Sequence, residues 1–158
     1  MQNQFKEFIK VFKAFDEHKV EYILIGGVAL ILHGIERLTR HIDIFVRMVP
    51  TNIKKLRKAL YCVYEDLSIK EITLEELQNY PVIRYGTPDG FYIDIITHIG
   101  KVFGFEDLEF KIIEFHGIKI KIATPETLYK LKKDTVRSKD KGDAIFLKEL
   151  IKEKGNYE

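Results

Sequence analysis

Two aspartates interrupt otherwise apolar β-strand sequence, Asp43 in HIDIFV at 41–46 and Asp94 in FYIDIIT at 91–97. Isoleucines flank each acid, and a carboxylate in such a setting is costly unless a cation, a metal or hydrogen-bond donors compensate it. Strand alternation puts His41 and Asp43 on one face and Ile42 and Ile44 on the other. If the two strands are neighbours, Asp43 and Asp94 converge on one site. The chain has the material to bury it: 158 residues, 46% hydrophobic and 12% aromatic, enough to remove about 70% of the unfolded surface from water. This length suits one domain over 1–158. Lys and Glu occupy the N-terminal MQNQFKEFIK, where a signal peptide needs an apolar centre, and no apolar run reaches the roughly 18 residues of a membrane span. A cytoplasmic protein is expected. Cys62 is the single cysteine, so an internal disulfide and a cysteine metal cluster are both excluded. The net charge of +2 is too balanced to argue for a nucleic-acid footprint. Charged residues make up 32% of the chain, mostly Lys and Glu, with little Gln or Asn and no Trp, a thermophile-like composition.

The pattern along the chain is mixed. Phe5, Phe8, Ile9, Phe12 and Phe15 recur at helical spacing, so the chain opens with an amphipathic helix ending near His18. YILI at 22–25 is a buried strand stopped by Gly26-Gly27, and VALILHG at 28–34 is a two-turn helix closed by Gly34. After the 41–46 strand, Pro50 and Thr51 introduce a helix with Thr51 as N-cap and Ile53, Leu56, Leu60 and Val63 on its buried stripe. Thr73 and Glu76 form a capping-box pattern for a short helix at 74–79. TPDG between VIRYG and FYIDIIT marks a hairpin, and His116-Gly117 between KIIEF and IKIKIA marks another, its lysine-bearing second strand suited to a sheet edge. Thr124-Pro125-Glu126 starts a further helix, and a last one covers about 140–154. The fold class is therefore α+β, a mixed central sheet flanked by helices with a C-terminal helical segment.

Chemistry concentrates in GGVALILHGIERLTRHIDIFV at 26–46. Glycines at a strand-to-helix turn let backbone N–H groups approach an anion, with the positive end of the helix dipole at the same spot. Two acids in apolar strands suit a divalent ion. A structural alternative is that Asp43 and Asp94 pair with Arg37, Arg40 or Arg84. His33 reads as a helix-end residue whose protonated ring favours the dipole, and His98 as a loop residue. Tyr85 and Tyr92 flank the hairpin and are suited to cross-strand pairing or to stacking on a base.

The combination resembles the polymerase-beta-like nucleotidyltransferase superfamily, in particular its small bacterial minimal, abortive-infection and toxin-antitoxin type. The resemblance rests on a strand, Gly26-Gly27, a helix, Arg37-Leu38-Thr39, His41-Ile42-Asp43 and the later Asp94, and extends to Lys130, Arg137, Lys139, Asp140 and Asp143. It implies a nucleotidyltransferase fold and transfer of a nucleoside monophosphate from a nucleoside triphosphate to an acceptor hydroxyl, the acceptor being a small molecule, a protein or RNA. It further implies Mg2+ or Mn2+ at His41, Asp43 and Asp94. Catalytic roles are implied for Asp43, Asp94, Lys130 and Asp140, and nucleotide contacts for Gly26, Gly27, Arg37, Thr39 and Arg137. A protein partner encoded nearby would fit the toxin-antitoxin type.

One position departs from the family pattern. His41 stands where the first acid of an Asp-x-Asp pair is expected. A neutral imidazole supplies one nitrogen and no charge, which disfavours magnesium and is tolerated by manganese, nickel or zinc. The sequence therefore admits an active enzyme with altered ion preference, a catalytically impaired nucleotide-binding relative, or a variant of a parent with Asp at 41.

Overall fold

A computed structural model of the chain describes residues 2–99, 104–132 and 138–157. The elements run α1 (Gln2–Glu17), β1 (Tyr22–Ile25), α2 (Gly26–Leu32), β2 (His41–Val46), α3 (Pro50–Tyr64), α4 (Leu74–Asn79), β3 (Val82–Gly86), β4 (Tyr92–Ile96), β5 (Phe110–Phe115), β6 (Ile118–Ala123), α5 (Pro125–Lys132) and α6 (Ser138–Tyr157). The six strands form one sheet in the order β3-β4-β2-β1-β6-β5. β2 pairs in parallel with β4 and β1 with β6, while β1–β2, β3–β4 and β5–β6 are antiparallel. No described helix is long and apolar enough to cross a membrane.

The two faces of the sheet have different neighbours. Tyr22 and Leu24 of β1 pair with Val46 and Ile44 of β2, so these side chains share the face opposite Asp43. Tyr22 lies against the rings of Phe12 and Phe15, with centroids 6.2 and 5.0 Å away. Helix α1 therefore covers that face, and α3 packs beside it. Phe8, Phe12, Phe15, Ile42, Ile44, Leu56 and Leu60 are essentially inaccessible to solvent there. Each such side chain contributes about 1.5–3 kcal/mol by leaving water. Asn52, also buried, ties α3 to the sheet: its amide donates to the carbonyls of Glu21 and Arg47, both at 2.9 Å, and accepts from the Glu21 N–H at 2.7 Å.

Several local expectations shift. Helix α3 begins at Pro50 with Val49 as cap and no side-chain capping bond, so Thr51 is not the N-cap. Proline at the first helical position lacks the N–H that a cap would satisfy. Helix α2 starts at Gly26 rather than 28. The lysine-bearing β6 is not the edge strand; β5 is, and β6 lies between it and β1. Lys121 adapts by donating to the Val20 carbonyl at 3.3 Å and lying over the Tyr22 ring, so its ammonium reaches polar groups at the strand end. The Thr73 hydroxyl caps α4 by accepting from the Glu76 N–H at 3.1 Å, and His116 and Gly117 both take positive φ in the β5–β6 turn, as a two-residue hairpin requires.

Candidate functional site

The strand pairing brings the acids together. Asp43 of β2 is directly opposite Asp94 of β4, and Asp94 is opposite Arg84 of β3. Arg84, Asp94 and Asp43 thus form a row across three neighbouring strands on one face. Arg84 engages Asp94 with two bonds, Nε to Oδ1 at 2.8 Å and Nη2 to Oδ2 at 3.0 Å, and its guanidinium carbon lies 4.9 Å from the centre of the Tyr92 ring. His41 Nδ1 is 2.9 Å from Asp43 Oδ1 and 3.5 Å from Asp94 Oδ2. Ion pairing with Arg84, one of the alternatives for the buried acids, is therefore realised at Asp94, while Asp43 pairs with the imidazole.

The diglycine turn sits directly above this row. Gly26 has φ of +71°, and a Cβ built on it would lie 1.9 Å from Asp43 Oδ2. Only glycine fits there, for backbone and for space. Gly27 is less constrained: its Cβ would meet Thr39 Oγ1 at 3.4 Å and Arg37 Cδ at 3.8 Å. Thr39, nearly buried, braces the entry to β2 by donating its hydroxyl to the His41 carbonyl at 3.2 Å.

Helices α5 and α6 close the other side. Asp143 of α6 is 1% exposed and holds two cations. Arg37 donates to it through both terminal nitrogens, Nη1 at 3.1 Å and Nη2 at a shorter separation, and Lys132 Nζ donates at 2.9 Å. Ile25, Gly26, Gly27, Arg37, Thr39, His41, Asp43, Arg84, Asp94, Leu128, Leu131 and Lys132 are among the residues lining one cleft of about 510 Å3. Its floor is acidic and its walls carry three cationic side chains.

Protonation follows from these contacts. The hydrogen bond that His41 makes to the Asp43 carboxylate raises the His41 pKa above the usual imidazole value, against the opposing effect of burial. Burial works to raise the Asp94 pKa, yet the Arg84 hydrogen bonds and charge bring it below the ordinary carboxylate value. Asp143 behaves alike: burial opposes ionisation, and the bonds to Arg37 and Lys132 prevail, lowering its pKa.

Not all of the implied site residues meet here. Lys130 is exposed, and the lysine that lines the cleft is Lys132. Residues two apart on a helix differ by about 200° in direction, so Lys130 and Lys132 of α5 cannot share a face. Arg137 lies outside the described residues, as does the side chain of Asp140. His33 does not act as a protonated cap. Its Nε2 is 2.9 Å from the Ala123 carbonyl, and burial lowers its pKa, favouring the neutral ring. His98 is exposed on a loop. Tyr85 turns to the opposite face from Asp94 and donates its hydroxyl to Asp66 at 2.7 Å. Arg84 was among the arginines that the sequence offered as partners of the acids, but the TPDG turn did not single it out: a hairpin symmetric about residues 87–90 would pair Gly86 with Phe91, whereas the observed register, one residue longer, pairs Gly86 with Tyr92 and hence Arg84 with Asp94. No local signal marks Lys132 as the partner of Asp143.

His41, Asp43 and Asp94 each offer a ligand atom, and these atoms all lie within 4.8 Å of one another. The donor set fits a divalent ion that accepts mixed nitrogen and oxygen ligands. No protein-family model matches the sequence, and no curated protein is significantly similar to it. Solved structures similar in fold include two nucleotidyltransferase-type proteins. The lincosamide antibiotic adenylyltransferase LnuA, solved with lincomycin bound, superposes with a TM-score of 0.55 at 16% identity, covering 95% of this chain and 98% of its own. A candidate nucleotidyltransferase from Thermotoga maritima has a TM-score of 0.50 at 15% identity, covering 100% of this chain and 96% of its own. The six-stranded mixed sheet with its flanking helices is the nucleotidyltransferase fold.

Proposed function

We propose that this protein binds a nucleoside triphosphate with a divalent ion and transfers the nucleoside monophosphate to an acceptor hydroxyl. One observation carries the reading: two strand-borne acids, a diglycine turn whose first position only glycine can occupy, and three cationic side chains open into a single cleft. Mixed acidic and basic walls suit a substrate that carries both phosphates and a bound cation. Gly26 and Gly27 bring backbone close to the cleft floor, where N–H groups of a helix start can meet a phosphate. Arg37 and Lys132 face the same space as phosphate donors, oriented by Asp143. Thr39 fixes the strand entry that sets the His41 and Asp43 positions. His41, Asp43 and Asp94 would hold the ion. Such an ion, once bound, offsets phosphate charge and lowers the pKa of an attacking hydroxyl. Mn2+ suits the imidazole better than Mg2+ does.

The test is titration of nucleoside triphosphates by calorimetry with Mn2+ and with Mg2+, followed by transfer of an α-phosphate label. Saturable, ion-dependent binding that Asp43→Asn abolishes supports the reading. No heat with any common triphosphate in either ion contradicts it.

His41 favours a second reading, a nucleotide-binding protein with impaired catalysis that works beside a protein partner, as in the toxin-antitoxin type. The imidazole contributes no charge where a carboxylate would, and it holds Asp43 by a hydrogen bond. On this reading His41→Asp transfers label at least about tenfold faster than the natural chain, a step of one well-placed charge. Equal rates remove it. In both readings the protein is a single cytoplasmic domain, and the acceptor is a small molecule, a protein or RNA.

A further inference from the structure

Arg84 is the unusual member of the cleft. It is a guanidinium bound side-on to one of the two acids that would hold the ion, with both Asp94 oxygens engaged at 2.8 and 3.0 Å. Three features fix it there. The β3–β4 register sets it opposite Asp94, the paired hydrogen bonds define its plane, and Tyr92 supports it from below at 4.9 Å. Tyr92 is itself seated against Gly86, where an added Cβ would stand 3.5 Å from the ring. A guanidinium does not lose its proton in a protein, so this positive charge is permanent.

Charge counting then limits what the cleft can hold. Asp43 and Asp94 bring two negative charges, Arg84 removes one, and a ligating imidazole is neutral. One divalent ion overcompensates the remaining charge once. Two ions would have to share a site with a single net negative charge while one lay beside a guanidinium. The guanidinium engages both Asp94 oxygens, so an ion on either oxygen would lie next to a fixed positive charge.

We infer that the cleft takes a single divalent ion, because Arg84 occupies Asp94 as a fixed second cation. The inference rests on the ion-binding part of the proposed function and adds its stoichiometry and the residue that sets it. Arg84 is a positioning residue for Asp94 and keeps three N–H donors unused by that acid.

The test counts Mn2+ bound to the full chain by electron paramagnetic resonance of the free ion, without nucleotide, for the natural chain, Arg84→Met, Arg84→Gln and the double variant His41→Asp/Arg84→Met. The expected result is one ion per chain for the natural protein. Both single variants should bind that ion at least roughly tenfold more tightly, since a neighbouring positive charge has gone, and the double variant should bind two. Arg84 is more than half exposed, and circular dichroism checks that each variant is folded. Two ions or none on the natural chain overturns the inference, and so does unchanged affinity in both single variants. A fluorescent triphosphate analogue added at saturating Mn2+ separates the two claims: no binding overturns the nucleotide reading and leaves the ion count standing.

Discussion

At the scale of single residues, Gly26 and Asp143 are the most exacting positions. Gly26 combines a left-handed backbone with a contact to Asp43 that leaves no room for a methyl group. Gly26→Ala should lower unfolding free energy by about 3 kcal/mol, whereas Gly27→Ala, with its neighbours at 3.4 Å or beyond, should cost less than about 1 kcal/mol. Urea denaturation of the two variants measures the contrast, and equal losses would show that Asp43 moves aside freely. Asp143 is buried between Arg37 and Lys132 with its pKa lowered. A carboxyl with a depressed folded pKa contributes stability that is present above its unfolded pKa and lost as pH falls through the folded one. Asp143→Asn should therefore cost about 3 kcal/mol near neutral pH. Its melting temperature should approach that of the natural chain as pH drops below the ordinary carboxylate range. A gap that persists in acid would mean that shape, not charge, is what Asp143 supplies.

At the scale of elements, much was legible and the exceptions are physical. YILI, HIDIFV, VIRYG and FYIDIIT appear as β1 to β4 because apolar runs bounded by Gly, Pro and Asp leave few alternatives. The facing of Asp43 with Asp94 followed from side-chain alternation once the strands proved to be neighbours. The position of β6 inside the sheet was not legible, since a lysine that reaches past the strand end looks in sequence like one facing water. The cleft lysine was equally hidden. Helix α5 carries Lys130 and Lys132, and which of them faces Asp143 depends on how α5 and α6 pack, a tertiary matter. Lys132→Ala should weaken triphosphate binding roughly tenfold, the loss of one phosphate donor, while Lys130→Ala should stay within about twofold. Calorimetric titration of both variants checks this, and the reverse order would assign the role to Lys130.

At the scale of the whole molecule, the sheet separates two tasks. Helices α1 and α3 bury the Ile42 and Ile44 face and hold the strands in register. The opposite face, at the parallel β2–β4 junction, carries the acids beneath α2 and α5. Stability drawn from one face lets the other hold like charges side by side, which a lone hairpin could not do. The most direct measurement of the central claim is a crystal soaked with Mn2+ and a non-hydrolysable triphosphate, read by anomalous scattering. One manganese peak is expected within about 2.5 Å of ligand atoms on Asp43 and Asp94, with the phosphates lying between Gly26-Gly27 and the Arg37 and Lys132 side chains. A triphosphate bound elsewhere on the protein, or manganese absent from these two carboxylates, would contradict it.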